Sequence, residues 1–292
     1  MKVAAAAYPI DWHDSWASYA DKIRRWVYEA AENGAQMMVF PEYGAMELAS
    51  LAGAERAGDL AQSITAVSER VAEADALHAA LAQETGTYIL AASAPVPDRD
   101  KVVNRARFFN PAGDMVFQDK QIMTRFERED WDIAGGGPLK VFDTPFGKVG
   151  ILICYDSEFP LLGRSLIEAG AEIILVPSAT EALAGYTRVR IGAMSRALEG
   201  QCVTVMASNV GEAPWCEAVD VNTGMGGVFC PPDKGFAANG VLAEGVMNTP
   251  GWTYAEVDVE QIRQVRLDGG VLNVLHWQEQ YPRVNRAEIS SF

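Results

Sequence analysis

Three segments of this chain that read as buried strands each end on a side chain that can do chemistry. Met37-Met38-Val39-Phe40-Pro41 leads to Glu42, Val116-Phe117-Gln118-Asp119 leads to Lys120, and Gly150-Ile151-Leu152-Ile153 leads to Cys154. Active sites of open α/β folds gather at the carboxyl ends of strands, so a carboxylate, an ammonium and a thiol delivered in this way can meet in one cleft. Attack on an amide carbonyl needs all three: a sulfur nucleophile, a group that takes and returns protons, and a cation where the oxyanion forms. Cys154 is expected on a strand-to-helix turn, where backbone N–H groups and the helix dipole lower a thiol pKa. Glu42, beside another carboxylate and a buried thiol, is expected to titrate above its ordinary value. Each residue alone has a plainer use, as a small buried hydrophobe, a turn acid or a surface amine. Their conjunction, in the order Glu, Lys, Cys, is what points to acyl chemistry. None of the three histidines (His13, His78 and His276) falls in these segments, and the chemistry requires none.

The elements that must position these groups alternate along the chain. Val3–Ala7 reads as a buried strand, Ser15–Asn33 as an amphipathic helix stopped at Asn33-Gly34, and Gln36–Phe40 as a strand broken by Pro41. A long helix is expected over Ala61–Thr85, then a strand at Tyr88–Ala92. Strands at Arg105–Asn110 and Met115–Asp119 flank the turn Pro111-Ala112-Gly113-Asp114. The second half repeats the theme with strands at Val149–Ile153, Ile173–Val176 and Cys202–Ala207, and helices at Leu161–Ala169 and Thr187–Glu199. Shorter strands follow at Gly227–Cys230, Gly240–Leu242 and Thr253–Val257, with a helix over Glu260–Leu267. Trp215–Gly227 lacks periodicity and reads as a surface loop over a pocket. This is an α/β pattern, with apolar strands inside and helices outside. It gives one domain over residues 1–275 and a polar tail, 276–292, expected to pack on a neighbouring subunit.

Composition narrows the function classes. The 292 residues are 49% hydrophobic and 22% charged, ordinary globular values that argue against disorder. Thirty-nine acidic residues against 24 basic ones give a net charge of −15. That field repels phosphate backbones and disfavours a nucleic-acid partner. No apolar run approaches the roughly 20 residues of a membrane span, and the N-terminus lacks the apolar segment and cleavage site of a signal peptide. A cytoplasmic chain with no membrane partner is the expectation. The four cysteines form no CxxC pair, which supports neither a disulfide framework nor a structural metal site.

The quoted segments resemble the nitrilase, or carbon–nitrogen hydrolase, superfamily. Phe40-Pro41-Glu42 carries the likeness, as do Lys120 followed by Thr124, Glu127-Arg128 and Trp131, and Cys154-Tyr155-Asp156 followed by Phe159-Pro160. It extends from Val3 to about Asp258, through Pro177-Ser178 and the Arg188–Glu199 segment that leads to Asn209. The resemblance implies Glu42, Lys120 and Cys154 as catalytic residues and Glu127 as a second active-site glutamate. Glu129 fits that last place less well by its spacing from Lys120. The backbone N–H of Tyr155 would join Lys120 at the oxyanion. Tyr43, Arg125, Trp131, Phe159 and Thr180, the last in the loop Thr180–Tyr186, are candidate substrate contacts.

The implied fold is a four-layer α-β-β-α sandwich of two mixed sheets with helices on the outer faces. The family usually assembles through helices at one face, which implies a homodimer or larger homo-oligomer. No metal or organic cofactor is implied. Cys-Tyr-Asp at the nucleophile is similar to the amidase and carbamoyl-amidase branches, whereas the Lys120–Trp131 segment looks more like nitrilases. An amidase acting on a small linear amide through a Cys thioester, releasing ammonia or an amine, is therefore the leading expectation. A nitrilase, an N-carbamoyl amidohydrolase and a non-catalytic scaffold are the alternatives.

Overall fold

The computed structural model describes residues 1–284 and 289–290. Its strands join in one curled, mixed, 15-stranded network. The main path begins with Ala94–Asp98, Lys101–Phe109, Tyr88–Leu90, Met37–Val39 and Lys2–Pro9. It continues through Val203–Glu212, Ile173–Ser178, Gly147–Ile151 and Val141–Thr144.

The first strand sits at the middle, and half of its eight residues are alanine. Ala4, Ala5, Ala6 and Ala7 are buried, and small side chains let neighbouring layers approach closely. It pairs parallel with Met37–Val39 and, through its last three residues, with Val203–Glu212. Ile173–Ser178 and Gly147–Ile151 continue the parallel series. Met115–Asp119 runs antiparallel to Lys101–Phe109, which is itself antiparallel to Tyr88–Leu90, so it regains the common direction. The strands that precede Glu42, Lys120, Cys154 and Ala179 therefore all end on the same side, where a site can form.

Helices Trp16–Glu32, Leu60–Thr85, Pro160–Glu168 and Leu183–Gly200 bury their apolar stripes on this core. Among the described residues, no helix is long and apolar enough to cross a membrane.

Four features differ from the sequence reading. The helix expected from Thr187 begins at Leu183, so the second half of the expected loop Thr180–Tyr186 is helical. The strand expected to stop at Ala207 runs to Glu212. Ala94–Asp98 and Val141–Thr144 are additional strands at the two ends of the path. The first holds Pro95 and Pro97, which an edge strand tolerates because its outer N–H groups need no partner. The expected tail begins inside a short helix, Asn273–His276. Its Trp277 ring lies 4.2 Å from the Arg164 guanidinium of the same chain. The remainder of that tail, at residues 285–288, 291 and 292, lies outside the described residues.

Candidate active site

Glu42 follows Met37–Val39 by way of Phe40-Pro41, in a bend that Tyr43 enters with a left-handed φ of 54°. Asn209 Nδ2 donates to the Glu42 carbonyl at 2.7 Å, and Tyr43 N–H donates to Ser93 Oγ at 2.9 Å. The bend is thus held from two sides. Cys154 heads the 3₁₀ turn Cys154–Glu158 with φ 50°, a conformation that non-glycine residues adopt only where their surroundings enforce it. Three contacts enforce it here. Ser157 Oγ donates to the Cys154 carbonyl at 2.7 Å. The Asp156 carboxylate accepts the N–H of Ile153 on one side of the thiol and those of Gln121 and Ile122, just beyond Lys120, on the other. Asp156 therefore ties the nucleophile turn to the lysine segment. Burial lifts its pKa to about 7 against the pull of Lys120 and these N–H groups.

The side chains meet at the lysine. Lys120 Nζ donates to Glu42 Oε1 at 2.7 Å and lies 2.8 and 2.7 Å from the two oxygens of Glu127. All three groups are buried. Glu127 is held in turn by Tyr43 Oη at 2.8 Å, Thr124 N–H at 2.8 Å and Thr124 Oγ1 at 2.9 Å. The Thr124 N–H bond and the return bond from Glu127 N–H to Thr124 Oγ1 at 3.3 Å form a capping box on the short helix Arg125–Glu129, and Thr-x-x-Glu is the sequence signal for such a box. Glu42 Oε2 accepts the Ala179 N–H at 3.1 Å, while Cys154 Sγ lies 3.6 Å from the Ala179 carbonyl.

Electrostatics separate the two carboxylates. Burial raises the pKa of Glu42, with Lys120 opposing and Glu127 adding to the rise. Burial pushes Glu127 the same way, but Lys120, Thr124 and Tyr43 outweigh it and the net shift is downward. Burial would lower Lys120, yet Glu42 and Glu127 hold it above its ordinary value. Cys154 corrects the sequence expectation. Its thiol is pushed well up, by burial first and then by Glu42, because a single turn of 3₁₀ helix offsets little of the cost of a buried thiolate. A thiol raised in this way yields its proton more readily to a neighbouring base than to water.

These groups open into a cavity of about 620 Å³, a size suited to a small organic molecule. Tyr43, Arg125, Trp131, Tyr155 and Thr180 line it, whereas Phe159 does not. Phe159 packs edge-on against Tyr155 with centroids 4.8 Å apart. Arg125 is tied to exposed Glu129 by two hydrogen bonds of 2.9 and 2.7 Å, so its charge is already partnered and Glu129 stands away from Lys120. Trp131 is buried, donates to the Leu60 carbonyl at 3.0 Å and packs on Tyr43.

The loop Trp215–Gly227 contributes wall rather than lid. Ala218–Asn222 line the cavity, but Cys216 is buried and Trp215 packs against Trp12. Arg188, 3.7 Å from Glu158, adds an ion pair at the wall that the sequence did not single out. Among the described residues, no group of acidic, His or Cys side chains is placed to hold a metal.

The carbon–nitrogen hydrolase family profile matches residues 2–267. A probable hydrolase, YhcX, of Bacillus subtilis is 33% identical over 93% of this chain. This chain spans only 52% of that relative's length. The omega-amidase NIT2-B of Xenopus laevis is 28% identical over 64% of this chain and 67% of its own. An amidase from Nesterenkonia sp. AN1, solved with the acetamide moiety of fluoroacetamide on its active-site cysteine, superposes with a TM-score of 0.68. That comparison covers 95% of this chain and 96% of the other at 22% identity, and shows the shared fold.

Proposed function

The chain belongs to the carbon–nitrogen hydrolase family of the nitrilase superfamily, and on that premise we propose that it is an amidase hydrolysing a small linear amide through a thioester on Cys154. One observation carries the reading: a single buried ammonium joins two carboxylates, one of which meets the same residue, Ala179, as the Cys154 thiol, at the end of a cavity. A binding scaffold gains nothing from burying this set, whose desolvation is costly. The omega-amidase relative, and the amidase whose active-site cysteine carries the acetamide moiety of fluoroacetamide, support an amide substrate. The fold likeness also supports two face-to-face β layers between outer helices.

In this reaction Glu42 takes the Cys154 proton as sulfur bonds to the carbonyl carbon, and the carbonyl π pair moves onto oxygen. Lys120 Nζ has three N–H bonds. With one shared between the oxygens of Glu127 and one on Glu42, the third can meet that oxyanion. The Tyr155 N–H, at the head of its turn, has no acceptor within the helix and supplies a second donor. Collapse of the intermediate breaks the C–N bond as Glu42 returns the proton to the leaving nitrogen. Water, deprotonated by Glu42, then attacks the thioester, and the departing sulfur regains a proton.

The test is a matched panel of small amides, N-carbamoyl compounds and nitriles, assayed for ammonia and acid with the wild type and Cys154→Ala. Amides are expected to turn over with a transient acyl adduct on Cys154 by intact mass, and the variant to be inactive. Turnover by Cys154→Ala would remove the nucleophile from the mechanism. Acid formation from nitriles alone would make the chain a nitrilase.

A further inference from the structure

We propose that Asn104 is a positioning residue that assigns the two oxygens of Glu42 to different tasks, an inference that rests on Glu42 serving as the base in the hydrolysis above. Asn104 lies in the strand Lys101–Phe109, is fully buried and is not among the residues lining the cavity. Its backbone carbonyl accepts the Lys120 N–H at 2.9 Å, and its side-chain Nδ2 donates to Glu42 Oε1 at 2.9 Å. One residue thereby locates both the cation and the base.

The donors around Glu42 are unequally divided. Oε1 carries the Lys120 ammonium at 2.7 Å and the Asn104 amide. Oε2 carries only the Ala179 N–H at 3.1 Å, and the carbonyl of that same residue lies 3.6 Å from Cys154 Sγ. Two donors satisfy the charge on Oε1 and make it the poorer proton acceptor, while Oε2 and the thiol both touch Ala179, through its N–H and its carbonyl. The Cys154 S–H bond therefore breaks toward Oε2, where the new O–H bond forms, and sulfur keeps the electron pair for attack. The charged and titratable groups facing Glu42 are Lys120, Glu127 and Cys154.

Asn104 also carries a cost that packing does not explain. Its Oδ1 is buried with no hydrogen-bond partner among the described residues, and an unsatisfied buried acceptor destabilises a fold. Leucine has nearly the same shape and leaves no such atom. A residue kept for structure alone would be better replaced than retained.

The experiment compares wild type, Asn104→Leu and Asn104→Asp by the pH dependence of Cys154 alkylation with iodoacetamide, which needs no substrate. It adds kcat and KM on the best amide of the panel, and the melting temperature. A hydrogen bond to a charged group contributes enough to shift a pKa by roughly one to two units. Its loss disfavours the ionised carboxylate, so the acid limb of alkylation moves to higher pH in Asn104→Leu. It moves further in Asn104→Asp, where a like charge faces Glu42. We expect kcat to fall roughly 10- to 100-fold with KM little changed, and Asn104→Leu to melt no lower than wild type. An unmoved acid limb, or a loss of kcat that only follows a loss of melting temperature, overturns the assignment. Glu42→Gln and Cys154→Ala run alongside. If they are inactive while the Asn104 variants keep the wild-type profile, this inference alone fails. If they turn substrate over, the hydrolase reading fails with it.

Discussion

Two buried glutamates share one ammonium, yet their surroundings give them opposite tendencies. Glu42 is pushed up by burial and by the negative charge of Glu127, while Lys120, Thr124 and Tyr43 together hold Glu127 down despite its burial. Groups whose environments drive their pKa values apart divide into proton carrier and fixed charge. In the proposed hydrolysis Glu42 is then the carrier and Glu127 the standing anion that orients Lys120. The sign of one substitution follows. Glu127→Gln removes the anion that raises Glu42, so the acid limb of Cys154 alkylation should move to lower pH, opposite to the shift expected for Asn104→Leu. Turnover should nevertheless fall, by about 10²-fold, because a loosened Lys120 no longer meets the oxyanion in place. Alkylation profiles between pH 4 and 9, about the range where such carboxylates and thiols titrate, read the shift directly. An upward move, or none, would mean that Glu127 does not set the charge state of the base.

The turn that presents Cys154 depends on how closely one helix can approach it. The buried face of Leu183–Gly200 includes Gly192, where an added Cβ would stand 2.8 Å from the Ser157 carbonyl oxygen. Arg196 on the same face donates to that oxygen at 3.1 Å. Gly192→Ala forces the helix or the turn to move, and overpacking of this kind costs about 1–3 kcal/mol. Urea denaturation should register that loss, and Cys154 alkylation should slow because the turn shifts. A variant with unchanged stability and alkylation would show that the contact does not set the turn.

How far such elements could be read from sequence depends on what local patterns carry. Glu42, Lys120 and Cys154 were legible because each follows an expected strand, and Glu127 through the family resemblance of the segment from Lys120 through Thr124 to Glu127-Arg128. Asn104 was not. It is a polar residue inside a strand, and its partners come from the register with Met115–Asp119 and from Glu42, 62 positions away. The early start at Leu183 was hidden because its cap residue, Ala182, offers no side-chain hydrogen bond. The strand through Ser208 and Asn209 was cut short because those polar residues suggest a turn. Both are fully buried, and Asn209 spends its amide on the Glu42 carbonyl.

At the scale of the whole molecule, the outer side of that same helix exposes a row of large apolar side chains. Leu183, Ile191 and Leu198 are 59%, 57% and 43% exposed, and spacings of eight and seven residues place them along one face. Leu161, on the neighbouring helix Pro160–Glu168, is 77% exposed. A chain with a net charge of −15 repels copies of itself at long range, so any association must rest on an apolar patch with local contacts. The family resemblance implies assembly through outer helices, and a second copy of this chain is the occupant we expect on this face. Burial of the helix between the partner on one side and the Cys154 turn on the other would couple assembly to the position of the thiol. If the chain assembles as a homodimer or larger homo-oligomer through this face, Ile191→Glu should lower the assembly state in sedimentation velocity, and it should slow Cys154 alkylation without lowering the melting temperature. A wild-type chain that sediments as a monomer at all concentrations, or a variant that still associates, would place the interface elsewhere and leave the stripe unexplained.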